Sequence, residues 1–467
     1  MTAATIGALV VVLVLFFALL SIRLHVGLAL MVSALAGVLI LRGTGAAVST
    51  VSNQPFSTAA DYSLTIIPLF IVMGVFAVRA GLAKAAFDLA TSAFRRLPGG
   101  PALASLAGSG MFAAVTGSSV ATVATMARVS TDAIVRAGYT IRLAAGVVCA
   151  GGTLGVLIPP SIVLVLYGVV TEESIGQLLI AGIGPGVLTI AVYALTIFAL
   201  VAWQRRRTPD RAHTPDRART PDRAEALVGA GSGSAAPDVV DEPGETIGRD
   251  ITGVGYLVVI FAVSVGTVYL GIATPTEAAS FGAFTALIIL LLRSRPSAWL
   301  RTIEESLREA VGLTAMTFLL MVGAGVFTYV LALSGASTSL VNAVTTADLP
   351  PYVVLVACLA ILLPLGMFLD GISMILIAAP LLHPILTGYG FDGIWIGVLI
   401  VKVAEMALIT PPVGMNAFVY SGAVREAGLD RVFRGLVPFV LADLVVVALL
   451  IAFPGIVSFL PSMSGAQ

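Results

Sequence analysis

Two apolar, helix-length segments of this sequence are interrupted by consecutive prolines. The first contains Pro159-Pro160 and the second contains Pro411-Pro412. Proline lacks a backbone N–H, so carbonyl groups about one turn earlier lose their helical partners. In a bilayer these freed groups must be satisfied by protein or by a water-filled cavity, because lipid offers no hydrogen bonds. The breaks therefore predict sites where carbonyl oxygens and helix ends meet an ion or a small solute.

The composition places these breaks in a membrane protein. Hydrophobic residues make up 58% of the 467 residues and charged residues only 11%, whereas soluble domains average about 25% charged residues. We therefore predict an all-α polytopic membrane protein in contact with lipid. Apolar runs at 25–41 and 64–78 predict the second and third spans, with a polar loop, Asn53–Tyr62, between them. The net charge is zero, which gives no electrostatic reason to expect nucleic acid.

A polar segment at 204–250 divides the chain. It contains three copies of Thr-Pro-Asp-Arg-Ala, the first beginning at Thr208. Regularly spaced prolines forbid a long helix and nothing apolar is available to bury, so we predict a disordered linker. Arg205–Arg207 at the end of the preceding span place it in the cytoplasm by the positive-inside rule. The predicted domains are a first membrane half (1–203), the linker (204–250) and a second membrane half (251–467).

Glycine and proline markers recur at matching intervals in the two halves. The markers are Gly74, Gly117, Gly138 and Pro159 in the first half, and Gly323, Gly366, Gly388 and Pro411 in the second. Successive markers are separated by 43, 21 and 21 residues in the first half and by 43, 22 and 23 residues in the second. Close helix packing would explain the glycines but not the Pro-Pro pairs. The register predicts two pseudo-symmetric halves with paired interrupted segments, which point to a transporter's binding site.

The residue types at the breaks suit two kinds of ligand. Free carbonyls together with the hydroxyls of Thr116, Ser118 and Ser119, or of Thr410, suit a small hard cation such as Na⁺. The N-terminal ends of half-helices carry partial positive charge and unpaired N–H groups, which suit a carboxylate. One protein could thus bind a cation and an organic anion side by side.

Three acidic or basic residues in the second half have alternative interpretations. Asp370 lies at the tip of an interruption, where an acid at membrane depth is a functional candidate, although it could equally cap the following half-helix. Lys402 and Glu405 are three residues apart. We favour a mutually neutralising ion pair over a proton or substrate role.

The segment from Thr274 to Glu277 predicts the start of a helix, with an N-cap, an N1 proline and an acid in the first turn.

Several stretches resemble the large membrane subunit of tripartite ATP-independent periplasmic (TRAP) transporters. They are Ile67–Phe70 with Met73-Gly74, Thr116–Thr125, Gly151–Ser161, Ser174–Gly176, Ala181–Gly186, Thr274–Ala279, Gly366–Asp370 and Ile409–Gly414. The resemblance implies an elevator-type protein of the ion-transporter superfamily, with inverted halves and re-entrant helical hairpins, in the bacterial cytoplasmic membrane. It implies Na⁺-driven import of a carboxylate, such as a C4-dicarboxylate, a sialic acid or a keto acid. The expected partners are a small four-helix membrane subunit on a separate chain and a periplasmic substrate-binding protein.

The same resemblance implies the site residues. The first Na⁺ site would use Thr116, Ser119, Gly155, Ile158 and Pro160. The second would use Gly366, Ala407, Thr410 and Val413. The substrate contacts would be Ser118, Gly152, Thr153, Asp370 and Pro411. Two positions depart from the family pattern, because Thr116 replaces the usual Ser and Ala407 stands where Gly is usual.

The predicted function is therefore secondary-active transport without covalent chemistry, with Na⁺ as coupling ion and no cofactor. The alternative is a self-sufficient Na⁺- or H⁺-coupled anion carrier of the same superfamily that needs no binding protein. An intramembrane enzyme would require a carboxylate pair, a metal-binding His cluster or a nucleophile with a base, and none of these patterns is present. A passive channel is disfavoured, since paired interrupted hairpins suit alternating access better than a continuous pore.

Overall fold

The computed structural model describes residues 3–207, 247–346, 349–367 and 369–463, and all of its regular secondary structure is helical. The first half contains α1 (Ala3–Ser21), α2 (Val26–Ala59), α3 (Ile66–Arg79), α4 (Leu82–Phe94), α5 (Gly100–Thr116), α6 (Ser119–Arg136), α7 (Ile141–Gly152), α8 (Ile162–Thr171), α9 (Ile175–Ala181) and α10 (Ile183–Arg207). The second half contains α11 (Ile247–Tyr269), α12 (Pro275–Arg293), α13 (Trp299–Ser334), α14 (Ala336–Thr346), α15 (Pro351–Gly366), α16 (Gly371–Gly388), α17 (Gly393–Ala407), α18 (Met415–Ala423), α19 (Leu429–Ala452) and α20 (Gly455–Met463). Short 3-10 helices lie at Tyr62–Thr65, Thr153–Val156 and Pro296–Ala298.

Each half contains a helical hairpin at its first interruption. In the first half α5 ends at Gly117, whose φ of 60° is the left-handed conformation that glycine adopts without steric cost. The Gly117 N–H donates to the Ala113 carbonyl at 2.8 Å, and Ser118 then caps α6 by accepting from the Ala121 N–H at 3.3 Å. α5 and α6 pack against each other, as do α15 and α16 in the second half. Local capping chemistry therefore explains the turn of the first hairpin.

Each half also contains a helix broken at its Pro-Pro pair. α7 loosens into the 3-10 helix at Thr153–Val156, and Ser161 starts α8 by accepting from the Leu164 N–H at 3.2 Å. In the second half α17 ends at Ala407, and α18 begins after Gly414, which has a φ of 51°. Both Pro-Pro peptide bonds are cis. The prolines separate helix segments at the positions that the sequence indicates.

The two halves exchange equivalent contacts. α2 packs on α13, and at the corresponding place α3 packs on α12. Likewise α6 of the first hairpin packs on α18, while α16 of the second hairpin packs on α8. This reciprocal pattern is what a pseudo-two-fold relation between halves produces, and it confirms the predicted duplicated, all-helical architecture with hairpins and broken helices.

Eight of the described helical segments are long and apolar enough to cross a membrane. One of them corrects the predicted loop at Asn53–Tyr62, because α2 continues to Ala59. It consists of two helical segments that meet at a kink at Gly43, where φ is 81°, and polar side chains such as Thr50 and Ser57 bond the second segment. For example, the Asn53 amide donates to the Ser49 carbonyl at 3.0 Å. Polar residues therefore mark a second helical segment here.

The predicted linker begins and ends in helix. Residues 204–207 belong to α10 and residues 247–250 belong to α11. The rest of the predicted linker, 208–246, lies outside the described residues, so its disorder stays a prediction. The cap at Thr274 is confirmed: Thr274 and Glu277 form a reciprocal capping box at the start of α12.

Candidate functional site

The tips of the two hairpins line one cavity of about 480 Å³. Gly117 and Ser118 come from the first tip, and Asp370 and Ser373 come from the second. The opposite wall is built by α3 and α13, and it includes Ile71, Gly74, Val75, Val78, Glu309, Leu313, Met316, Thr317 and Leu320. The cavity therefore lies where the paired interruptions meet helices from outside the hairpins.

Asp370 occupies the N-cap position of α16 and is half-buried. Its carboxylate accepts a hydrogen bond from the Ser373 hydroxyl and makes no side-chain capping bond to a backbone N–H. Asp370 thus occupies the predicted N-cap position, but its carboxylate binds the Ser373 hydroxyl and not a backbone N–H of α16. Because Asp370 also lines the cavity, it remains a candidate to meet a solute.

Two acidic residues line the cavity. Asp370 comes from the second hairpin tip, and Glu309 comes from α13, where its Oε2 is 2.9 Å from Arg79 Nη2. Arg79 also binds Glu305 at 2.9 Å. His25 also lines the cavity and accepts from the Gly27 N–H at 3.2 Å. Among the described lining residues there is no Lys or Arg, so the lining itself is not basic.

The first predicted cation set converges on the first hairpin tip. Ser119 is buried at the start of α6, and its hydroxyl donates to the Glu405 carboxylate. Gly155 packs directly against Ala113 near the end of α5, at a distance that leaves no room for a side chain. Ile158 and Pro160 lie in the break and line a second, apolar cavity of about 330 Å³.

Thr116 completes this set as the last residue of α5, and its side chain lies outside the described residues. The structure thus brings together the end of α5, the start of α6 and the first break. These are the three elements that the predicted set requires.

The second predicted cation set joins the end of α15 to the end of α17. A Cβ atom added to Gly366 would lie 2.5 Å from the Ala407 methyl carbon, so the two helix ends are in direct contact. The Thr410 hydroxyl donates to the Met406 carbonyl at 2.6 Å, and Val413 is half-buried beyond the prolines. Ala407, at a position where the resemblance expects Gly, is accommodated because Gly366 has no side chain.

The predicted substrate residues separate into two groups. Ser118 and Asp370 line the cavity between the hairpin tips. Gly152 and Thr153 are buried at the end of α7, and Pro411 is half-buried in the second break. A Cβ atom on Gly152 would lie 3.0 Å from the Ser119 carbonyl oxygen, which places Gly152 behind the first tip. These last three residues are not among those lining the cavity.

The predicted ion pair between Lys402 and Glu405 is wrong. Lys402 Nζ lies 2.5 Å from Asp443 Oδ1, and both side chains are buried. The Tyr193 hydroxyl also donates to Asp443 Oδ1, at 2.8 Å, and approaches the Thr153 hydroxyl at 3.3 Å. α19 packs beside α17 and supplies this partner. Asp443 is an acid within the apolar run of α19, and this was the sequence signal that could have identified it as the partner of Lys402.

Together, duplicated hairpins and broken helices around a cavity in a polytopic helical protein define a membrane transport protein. The profile of one family, described as "Tripartite ATP-independent periplasmic transporter, DctM component", matches residues 13–456. The chain belongs to this family. It is accordingly an integral membrane transport permease and not an enzyme.

Individual relatives agree with this assignment. The chain is 32% identical to the C4-dicarboxylate TRAP transporter large permease protein DctM of Pseudomonas aeruginosa, over 90% of each chain. It is 30% identical to the isethionate TRAP transporter permease protein DctMQ of Oleidesulfovibrio alaskensis, over 88% of this chain and 60% of that protein. The crystal structure of the Alcanivorax borkumensis YdaH transporter superposes with a TM-score of 0.61 at 15% identity, covering 88% of this chain and 90% of the other. This last likeness concerns the fold alone.

Proposed function

We propose that this chain is the large subunit of a TRAP transporter that imports an organic acid by coupling it to Na⁺. Its partners would be a small four-helix membrane subunit and a periplasmic substrate-binding protein, as is usual in the family. The observation that carries the proposal is the cavity shared by Ser118 of one hairpin tip and Asp370 of the other. A solute held there would contact both halves at their interruptions.

The charge of the cavity supports coupling to a cation. Asp370 and Glu309 line it, and no described Lys or Arg does. An organic anion entering this space alone would be repelled by the unpaired Asp370 charge, since Coulomb interactions are strong where water is scarce. Na⁺ bound near the hairpin tips would supply the missing positive charge. Cation binding would then be a condition for anion binding, which is the requirement for symport.

Helix termini supply further positive potential. α6 begins at the first tip and α16 begins at the second, so both present N-terminal ends near the cavity. Such ends carry partial positive charge and favour an anionic group. The two relatives named above transport a C4-dicarboxylate and isethionate by their names, and both compounds are organic anions. This supports an organic acid as the substrate class.

The packing supports an elevator movement. The hairpins and broken helices pack on one another, while the opposite wall of the cavity is built by α3 and α13, which pack on α12 and α2 respectively. We propose that the hairpins and broken helices move as one body against these paired helices, carrying the bound solute across the membrane.

The test is uptake of labelled carboxylates by proteoliposomes that contain this chain, its small membrane subunit and a candidate binding protein. An inward Na⁺ gradient is imposed or replaced by K⁺. Uptake that requires both Na⁺ and the binding protein is the expected result. Na⁺-driven uptake without a binding protein would instead support the self-sufficient carrier, and uptake indifferent to Na⁺ would refute coupling to this ion.

Thr410→Val tests the second cation set within the same assay. The substitution removes a hydroxyl from the break, and we expect a higher Na⁺ concentration for half-maximal uptake. Thr196→Val is a matched control, because the Thr196 hydroxyl makes the same type of bond, to the Val192 carbonyl at 2.8 Å, within the unbroken helix α10. Equal effects of the two substitutions would count against a cation role for Thr410.

A further inference from the structure

The Glu405 side chain lies between the two hairpin tips. It is 1% exposed on α17. Its Oε2 accepts from the Ser119 hydroxyl of the first tip. On the other side, a Cβ atom added to Gly371 at the second tip would lie 2.7 Å from Glu405 Oε1. One carboxylate therefore touches both hairpins.

Within the described part of the chain this carboxylate forms no ion pair with a Lys or Arg side chain. The nearest candidate in sequence, Lys402, is bound to Asp443 instead. An ionised carboxylate buried beside a hydroxyl is costly unless a proton neutralises it or a further positive charge compensates it. A bound cation at either hairpin tip would provide that charge.

Glu405 is also joined to both predicted cation sets. It is hydrogen-bonded to Ser119 of the first set. It precedes Ala407 of the second set by two residues on the same helix, and Ala407 is in contact with Gly366. Ser119 and the end of α17 are therefore physically connected through Glu405.

We propose that Glu405 is a positioning residue that couples the two cation sites. The proposal rests on the proposed function, because it requires both sites to bind Na⁺. Two cations bound near each other in a low-dielectric region repel, and the carboxylate between them offsets that repulsion. It also holds both tips in the arrangement that each cation needs, so occupation of one site favours occupation of the other.

The test is equilibrium binding of radiolabelled Na⁺ to the purified full chain in lipid nanodiscs. We expect the wild type to bind Na⁺ with a Hill coefficient well above one. Glu405→Gln keeps the shape of the side chain and removes its charge. We expect it to lower the Hill coefficient towards one and to raise the midpoint Na⁺ concentration by at least about fivefold, the lower end of typical coupling between sites.

Thr131→Val is the matched control. The Thr131 hydroxyl makes a buried bond of 2.8 Å to the Tyr420 hydroxyl, which also links α6 of the first half to a broken helix of the second. A merely structural role for Glu405 would give both variants the same Na⁺ midpoint and Hill coefficient. Coupling predicts that only the Glu405 substitution changes them.

Glu405→Asp covers the case in which Glu405→Gln does not fold. It retains the charge but is one methylene shorter, and we expect a raised midpoint with cooperative binding preserved. Wild-type Na⁺ cooperativity in folded Glu405→Gln, or an unchanged Na⁺ midpoint in Glu405→Asp, would overturn the coupling while leaving Na⁺ transport intact. Failure of the wild type to bind Na⁺ would overturn the proposed coupling ion as well, so the two failures are distinguishable.

Discussion

Lys402 and Asp443 form an ion pair of 2.5 Å across 41 residues of sequence, between α17 and α19. The side chains are 1% and 0% exposed. Tyr193 from α10 joins the pair through its hydroxyl, and the Lys402 ammonium also lies 5.5 Å from the centre of the Tyr193 ring. Three helices are thus connected by one buried polar cluster beside the second break.

Removal of one member of this pair should destabilise the protein strongly. Asp443→Ala leaves the Lys402 charge buried without its partner, which typically costs about 3–5 kcal/mol. The double substitution Lys402→Met with Asp443→Leu removes both charges and should cost clearly less. Thermal unfolding of the purified protein in detergent measures both. A double variant as unstable as Asp443→Ala would contradict this account.

Asp430→Ala is the control for this comparison. Asp430 pairs with Arg434 at 3.0 Å one turn along α19, but the side chains are 71% and 60% exposed. Exposed pairs of this type contribute about 0.3–0.5 kcal/mol. The melting temperature should therefore barely change.

Tyr193→Phe should have an intermediate effect. The substitution removes the hydrogen bond of 2.8 Å to Asp443 and the contact of 3.3 Å to Thr153. Hydrogen bonds to charged groups contribute about 1.5–3 kcal/mol. Tyr389→Phe removes a half-buried bond of 2.7 Å to the uncharged Val344 carbonyl, and its cost should be about 0.5–1.5 kcal/mol. Tyr193→Phe should therefore have the lower melting temperature of the two variants, and the opposite order would contradict a charge-assisted bond to Asp443.

Gly155→Ala should disturb the first hairpin. The added methyl group would overlap Ala113, including its backbone, and overpacking of this kind costs about 1–3 kcal/mol. Since the displaced segment carries the first predicted cation set, we expect a raised Na⁺ requirement for uptake as well as a lower melting temperature. Gly266→Ala on α11 is the control, because nothing lies within 4 Å of the added group. If the Na⁺ dependence of uptake is unchanged in Gly155→Ala, Gly155 does not contribute to the cation site.

The sequence was informative where the chemistry is local. Proline cannot donate a backbone hydrogen bond and glycine adopts left-handed φ, so the breaks at Pro159 and Gly117 follow from residues at those positions. The repeat then follows from matching intervals, without any knowledge of packing. The same holds for the capping box at Thr274, which involves residues three positions apart.

The sequence was uninformative where a partner comes from a distant element. Lys402 has an acid one turn away in Glu405, but α19 brings Asp443 closer. Glu309 reaches the cavity only because α13 packs on α2 and α3. The helix at Asn53 escaped prediction because polarity alone does not distinguish a loop from a helix with polar side chains.

The side of the membrane to which the cavity opens can be inferred from the linker. Gly253, near the start of α11 and so close to the linker, packs on Ala85 of α4. Arg293 donates to the Ala80 carbonyl at 2.7 Å, next to Arg79 and its partner Glu309. Glu309 is 48% exposed and lines the cavity. By the positive-inside rule we predict that this Arg-rich side faces the cytoplasm and that the described state is open to the cytoplasm.

Ser118→Cys tests this orientation. The residue lines the cavity, so a membrane-impermeant thiol reagent should modify it from the cytoplasmic face, and Na⁺ together with substrate should slow the reaction. The native thiols, Cys149 and Cys358, are buried and should contribute little labelling. Ser174→Cys is the control: it lines a different cavity at the end of α11, the end opposite the linker, and should react from the periplasmic face without this protection. Modification of Ser118→Cys from the periplasmic face alone would reverse the inferred orientation, because the cavity would then open on the side that receives the solute.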